Sequence, residues 1–431
     1  MSYLCIENLI DMKKIFLSIV ALITCGLSAL AQMKTLQVTV TNSWEGEKVD
    51  EPVVVKLPHV KKVGFEVKGA RVTCDGVVVP CQLDDMDGDL RADEVFFLAD
   101  MKGKETKTYE VKLSAEETKT EVAPRIYTAL QLRDKQDKHP DVLRVEAPGG
   151  SFVFNDIYMH GITMESELTG YRIYFDHRQN IDLYGKKYRR IELPETQFYT
   201  TEEQLKEGYG VDVLWAGNAI GCGSLKDWKN GQPENWTNVG VRGQRIVTTG
   251  PLRTVVEVYD LGVRDEEGLM YDMHQRYSLY AGHRDLRVDV KFKPSLQGKS
   301  SWGKKLFCTG VQKVGATADE ATRKGHESQG YVKKDGLAAS WGCDYPDMGK
   351  KQVWAPEAIG MAVYVPQEYI SDTKVDDLNY LIVVMPDKEP SLHYFISFCA
   401  DKEERGYHTA KEWFASLDDW RDGVSHPVKV K

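Results

Sequence analysis

The sequence predicts an all-β protein, a small N-terminal β-sandwich followed by a much larger one that closes with a short C-terminal helix. Three observations carry this reading. Apolar and polar residues alternate with period two along most of the chain, helical periodicity is confined to one late segment, and a polar stretch without strand periodicity separates two parts. The 431 residues are 42% hydrophobic and 28% charged, the make-up of an ordinary globular protein with room for two or three domains. With 56 basic against 65 acidic side chains the formal charge is −9. That balance excludes a general nucleic-acid binder, because neutralising phosphates needs a clustered excess of Lys and Arg.

Residues 1–31 read as an export leader. Lys13 and Lys14 precede an apolar run from Ile15 to Leu30, and Ala29-Leu30-Ala31 supplies the small-x-small cleavage pattern. The run is shorter than the roughly 20 residues needed to cross a bilayer, and Met12 fits as the true start. The expectation is a periplasmic or secreted protein with no membrane span after cleavage. Cys25 is the one candidate for lipidation, but Thr24 precedes it where such a site prefers Gly or Ala. Six cysteines follow the leader, too few for a disulfide scaffold, although export would permit one or two bonds. Cys74 and Cys81 flank an Asp75-Gly76 hairpin turn that sets Thr73 opposite Val78, which disfavours a bond between them.

The first sandwich is expected over 32–115. Leu36, Val38 and Val40 alternate with Gln37, Thr39 and Thr41, and Thr108 to Leu113 reads as a further strand. The acidic run Asp85, Asp87, Asp89 and Asp93 has a spacing that can wrap oxygens around calcium, yet Leu90 stands where the sharp turn wants Gly. A solvated acidic hairpin tip is the competing reading. Ser114 to Glu121 then forms the boundary, and 125–431 is expected as one large sandwich. Its strands include Leu252 to Tyr259, Leu286 to Phe292, Ile359 to Val365 and Leu378 to Met385, the last apolar on both faces and so interior to a sheet stack. Thr409 caps a helix whose apolar stripe is Trp413, Phe414, Leu417 and Trp420, ended by Gly423 and Pro427.

Chemistry-bearing residues concentrate between His160 and Lys187. A strand over Gly170 to Arg178 turns Tyr171, Ile173 and Phe175 to one side and Arg172, Tyr174, Asp176 and Arg178 to the other. Such a polar face with aromatic surface suits a sugar, whose hydroxyls take charged hydrogen bonds while its apolar ring face stacks on an aromatic. A ladder of exposed ion pairs, Arg172 with Asp176 and Asp176 with Arg178, would look the same in sequence. Elimination from a uronate needs a cation, a base and an acid, and Arg172, Tyr171 or Tyr174, and His160 are of the right kinds. Asp176 joins these as a catalytic candidate, and with Glu165 and Asp212 it could supply the paired carboxylates of a glycoside hydrolase. Substrate-binding candidates are Glu165, Arg178, Tyr184, Lys186, Tyr209, Asp212, Trp215 and Arg276. No G-x-S-x-G elbow, H-E-x-x-H pair or phosphate loop is present.

The runs Glu165 to Asp176, Asn180 to Lys186 and Gly210 to Leu214, with Gln82 to Asp85 and His426 to Val430, resemble the family called domain of unknown function 4861. The resemblance spans most of the chain beyond the leader. It implies a galactose-mutarotase-like β-supersandwich in an exported protein of Bacteroidota polysaccharide-utilisation clusters. The expected role is carbohydrate-active, a lyase or glycoside hydrolase taking uronate-containing, pectin-like oligosaccharides, or else a non-catalytic glycan-binding protein. Where many relatives carry a Tyr-His pair, this chain has Phe198-Tyr199-Thr200-Thr201, which leaves His160 as the histidine to replace it.

Overall fold

A computed structural model describes residues 32–57, 63–118, 122–136, 138–266, 268–295, 302, 305–316, 318–344 and 356–431. The leader expectation lies outside them. Among the described residues no helix is long and apolar enough to cross a membrane.

The described residues are predominantly β, and among them one helix exceeds five residues. The first strands form a sandwich of a five-stranded and a three-stranded sheet around Val40, Val53, Val72, Val95, Phe97 and Val111. Its hairpin pairs Thr73 with Val78 and Cys74 with Val77, and the six described cysteines are all free thiols. The larger sandwich sets a nine-stranded antiparallel sheet against two five-stranded sheets, and residues of all three share one core. Asn379–Val384 lies inside one of these sheets between Phe307–Gln312 and Ile370–Val375, as its two apolar faces require.

The helix spans Ala410–Ser425, with the Thr409 side chain accepting from the Glu412 amide at its start. Trp413 and Leu417 bury against Trp341, Ala362 and Cys399 of the nine-stranded sheet. A Cβ on Gly360 would stand 2.6 Å from the Trp413 indole, so this strand can carry only glycine there. Beyond the helix, Lys429–Val430 pairs with Val40 and Thr41, returning the chain to the first sheet.

The two sandwiches are clamped by paired polar groups. Gln82 Oε1 accepts from the Leu252 and Arg253 amides at 2.9 Å, and its Nε2 donates to the Arg253 carbonyl at 3.1 Å. The Arg253 guanidinium pairs with Asp84 and with Glu94, the latter at 2.8 Å, and lies 4.5 Å from the Phe96 ring. Arg125 forks onto Asp50 and reaches Glu167 at 2.7 Å. The Gln82-Leu83-Asp84 run is therefore junction chemistry.

Candidate functional site

The strands Ile157–Ser166, Gly170–Tyr174, Ile181–Gly185 and Val211–Asp212 lie side by side, and their register decides which side chains share a face. Arg172 stands opposite Asp182, and Tyr184 stands opposite both Gly170 and Asp212. Residues two apart project to the same side, so Arg172, Tyr174, Asp182, Tyr184 and Asp212 share one face. Tyr171 and Ile173 go to the other and are fully buried in the core.

At one end this face forms the floor of a hollow of about 360 Å³, lined by Phe154, His160, Arg172, Tyr174, Arg178, Asn180, Asp182, Phe198, Tyr199, Asp212 and Trp215 among others. Arg172 Nη2 donates to Asp182 Oδ2, to Asp212 Oδ2 at 2.8 Å and to the Tyr174 hydroxyl at 2.8 Å. Its guanidinium also lies 4.8 Å from the Tyr174 ring and 4.5 Å from the Phe198 ring. Tyr174 donates to Asp182 Oδ2 at 2.7 Å. Burial raises the Asp212 carboxyl well above the usual carboxylate range, and the neighbouring Asp182 charge raises it further against the pull of Arg172. The protonated form of Asp212 is thereby favoured over that of an ordinary carboxyl. Burial, with the Asp182 charge, likewise raises the Tyr174 phenol, which stays a neutral donor.

His160 enters the hollow through a bulge. Met159 and His160 both have positive φ, 59° and 61°, and the pairing with Ile126–Leu132 slips between Tyr158 and Thr163. Gly161 follows where a Cβ would meet the Ile173 carbonyl at 1.9 Å. Phe154 stacks on the imidazole at 4.1 Å between centroids, and His160 Nδ1 lies 3.2 Å from the Phe154 carbonyl. A carbonyl only accepts, so Nδ1 carries the hydrogen. Burial lowers the ring's pKa, leaving it neutral with the Nε2 lone pair unprotonated.

Arg178 is set by the turn after Tyr174. Asp176 accepts from the Arg178 and Gln179 amides at 2.9 and 3.0 Å and from Arg178 Nε at 2.8 Å. Beneath it, Lys226 donates to the Arg178 carbonyl and to Asn180 Oδ1.

Of the expected catalytic residues, His160, Arg172 and Tyr174 line the hollow. Tyr171 does not, because its phenol donates into the core to the Arg284 carbonyl. Asp176 does not, because the strand ends at Tyr174 and Asp176 serves the turn, so no Arg172–Asp176 ladder forms. Among expected binding residues, Arg178, Asp212 and Trp215 line the hollow. Glu165, Tyr184 and Lys186 lie beneath the excursion between Gly185 and Val211, which roofs the other end of the face. Lys186 Nζ donates to Glu165 at 2.9 Å, Glu165 accepts from the Glu192 and Leu193 amides, and Tyr184 packs with Leu193 and Phe198. Tyr209 bonds Glu195, and Arg276 pairs with Glu257 on the nine-stranded sheet. Glu165, Asp176 and Asp212 consequently do not form a carboxylate pair.

Sequence reasoning left Asp182, Phe154, Phe198 and Tyr199 out of the site. Asp182 was within reach of it, since the Arg172 hairpin places it directly opposite. A second, larger concavity lies along Trp228, Asn235 and Asn238, where Asp227 and Asp265 are paired with Lys305 and none of the expected residues falls. In the acidic loop the ligand atoms of Asp85, Asp87 and Asp89 fall within 4.8 Å of one another. Asp85 accepts from the Gly88 and Leu90 amides, and Asp93 from the Met86 and Asp87 amides, so these carboxylates already close the turn. Leu90 takes up the turn with φ 69° in place of a glycine.

Among curated proteins none matches the chain in sequence. Two solved structures from Enterococcus faecalis align over 92% of it at 9% identity: a protein in the glycosyl hydrolase family 38 (TM-score 0.45) and an alpha-mannosidase (TM-score 0.46). The chain spans about half the length of each, 47% and 46%. A Klebsiella pneumoniae protein described as an aldose 1-epimerase aligns over 69% of this chain and 96% of its own, at 7% identity and TM-score 0.31. The profile of the family "Domain of unknown function (DUF4861)" matches residues 40–430, and the chain belongs to that family.

Proposed function

We propose that the protein is an exported enzyme that cleaves uronate-containing oligosaccharides by β-elimination at the hollow over Arg172. The observation that supports it most is that one aromatic-walled hollow is lined both by Asp212, whose carboxyl is held well above the usual carboxylate range, and by His160, whose buried imidazole is held neutral with Nε2 unprotonated. In the reaction His160 Nε2 takes the C5 proton of the uronate, the C4–O bond breaks as the C4=C5 double bond forms, and Asp212 gives its proton to the departing oxygen. Arg178, with its side chain 38% exposed at the hollow, faces the substrate carboxylate and offsets the charge that builds there.

These assignments differ from the roles expected of the same residues. Arg172 is committed to two carboxylates and a phenol, so it positions Asp182 and Asp212 instead of meeting a substrate carboxylate. Tyr174 is a donor to Asp182 and not the base. Asp212 and Asp182 are hydrogen-bonded to each other and share one guanidinium nitrogen, so they act as one acid unit. Two-carboxylate hydrolysis needs acids standing apart on either side of the scissile bond, roughly 5 Å or more, which disfavours that route.

One observation favours a non-catalytic reading. Arg172 Nη2 is spent on Asp182, Asp212 and the Tyr174 hydroxyl, as in a bracket supporting a glycan-binding surface. Incubation with galacturonate oligomers separates the readings. Elimination gives absorbance of the unsaturated uronate, hydrolysis gives new reducing ends without that absorbance, and a binding protein gives saturable binding with neither product.

A further inference from the structure

Among the described residues, the exposed aromatic side chains are Phe152, Tyr199 and Trp215, at 82%, 42% and 51% exposure, and all three stand at this one hollow. Tyr199 and Trp215 line it. Phe152 lies just outside, with its ring centroid 6.5 Å from that of Phe154, which in turn stacks on His160 inside. The other large exposed apolar residues are aliphatic ones such as Met33, Val77, Leu90 and Val375, in other strands and loops. An aromatic ring left in water forgoes a large burial gain, and its flat apolar face matches the apolar face of a pyranose. One hollow of this size needs no ring beyond its own wall to hold one sugar, so Phe152 has no task for a single bound unit.

We infer that Phe152, Tyr199 and Trp215 are stacking platforms for sugar units flanking the one in the hollow, so that the site takes oligosaccharides of several units in preference to a mono- or disaccharide. This rests on the carbohydrate reading of the hollow and extends it from what is cleaved to how much chain is held. The cations agree with an acidic chain. Arg178 lines the hollow, and the exposed Arg133 acts on His160 electrostatically and lies 5.5 Å from the Tyr158 ring, which meets Tyr199 edge-on. Units on either side of the reacting one would each bring a carboxylate to this rim.

The test is calorimetric titration of the full chain with a galacturonate dimer, tetramer and hexamer, for wild type, Phe152→Ser, Trp215→Ala and Arg178→Met. The substituted rings are exposed, and matched melting temperatures confirm the fold. Affinity should rise about tenfold or more from dimer to hexamer in wild type, equivalent to one or two stacked rings at about 1.4 kcal/mol per tenfold. Phe152→Ser should lose about fivefold or more for the hexamer and leave the dimer unchanged, and Arg178→Met should weaken every length. Equal affinity for dimer and hexamer, or a hexamer affinity untouched by Phe152→Ser and Trp215→Ala, overturns the inference while leaving the hollow's assignment standing. No binding of any length overturns both.

Discussion

Replacing Arg172 by Met tests whether the floor of the hollow is an electrostatic unit. The Arg172 side chain is 4% exposed, as is that of Asp182, and Asp212 is 23% exposed. Methionine keeps much of the packing between the Tyr174 and Phe198 rings and removes the charge, leaving the Asp182 carboxylate buried without its cation. Breaking a buried pair from one side costs about 3–5 kcal/mol, because the partner's desolvation is no longer offset. The loss of ring contacts with the guanidinium adds about 1 kcal/mol. Urea denaturation at pH 7 should therefore show a loss of about 4–6 kcal/mol. The double variant Arg172→Met with Asp182→Asn should recover most of the loss, since no unpaired anion remains. A loss below about 1 kcal/mol would show that the cluster is solvated and refute the reasoning.

Further outcomes follow from the same geometry. Asp212→Asn should reduce cleavage of galacturonate oligomers by about a hundredfold or more, the usual scale for a lost acid, while binding persists. Cleavage by the wild type should fall on the acid side as His160 is protonated and on the alkaline side as Asp212 loses its proton, and His160→Gln should remove the acid limb in any residual rate. His283 sits at the junction of the sandwiches, near Asp285 at 3.3 Å and the Asp50 carbonyl at 2.9 Å. Burial would lower its pKa, but Asp285 and the Asp50 carbonyl outweigh this and raise it from 6.5 to about 9. The stability it contributes is thus complete below pH 6.5 and lost as pH rises to 9. At 1.36 kcal/mol per unit this is about 3 kcal/mol, read as the stability difference between wild type and His283→Gln across that range. Trp413→Ala should cost about 3–5 kcal/mol in thermal or urea unfolding, because Gly360 leaves a gap that its neighbours cannot close.

The elements were legible where a local rule decides them. Period-two alternation marks strands such as Leu286–Pro294, and a capping threonine with an apolar stripe marks the helix from Ala410. Alternation also sorted Tyr171 from Arg172 correctly. What it could not supply was the end of the strand at Tyr174, because Phe175 and Asp176 continue the pattern into a turn. The excursion that roofs Glu165, Tyr184 and Lys186 was hidden for a different reason. Its position depends on Phe198 and Leu193 packing onto a face assembled from distant strands. The bulge that aims His160 has no composition signal: Met159 and His160 take positive φ beside Gly161, and nothing in their residue types announces it. Asp182 needed only the hairpin register, and its partner Asp212 needed the tertiary fold.

The most direct measurement is a crystal structure of Asp212→Asn with a bound galacturonate hexamer. The account predicts the chain lying across the hollow, a glycosidic oxygen within hydrogen-bond reach of the residue 212 amide, the adjacent C5 hydrogen facing His160 Nε2, and a uronate carboxylate on Arg178. A hexamer seated in the concavity by Trp228, or one crossing the hollow with its glycosidic oxygens away from residue 212, would contradict it.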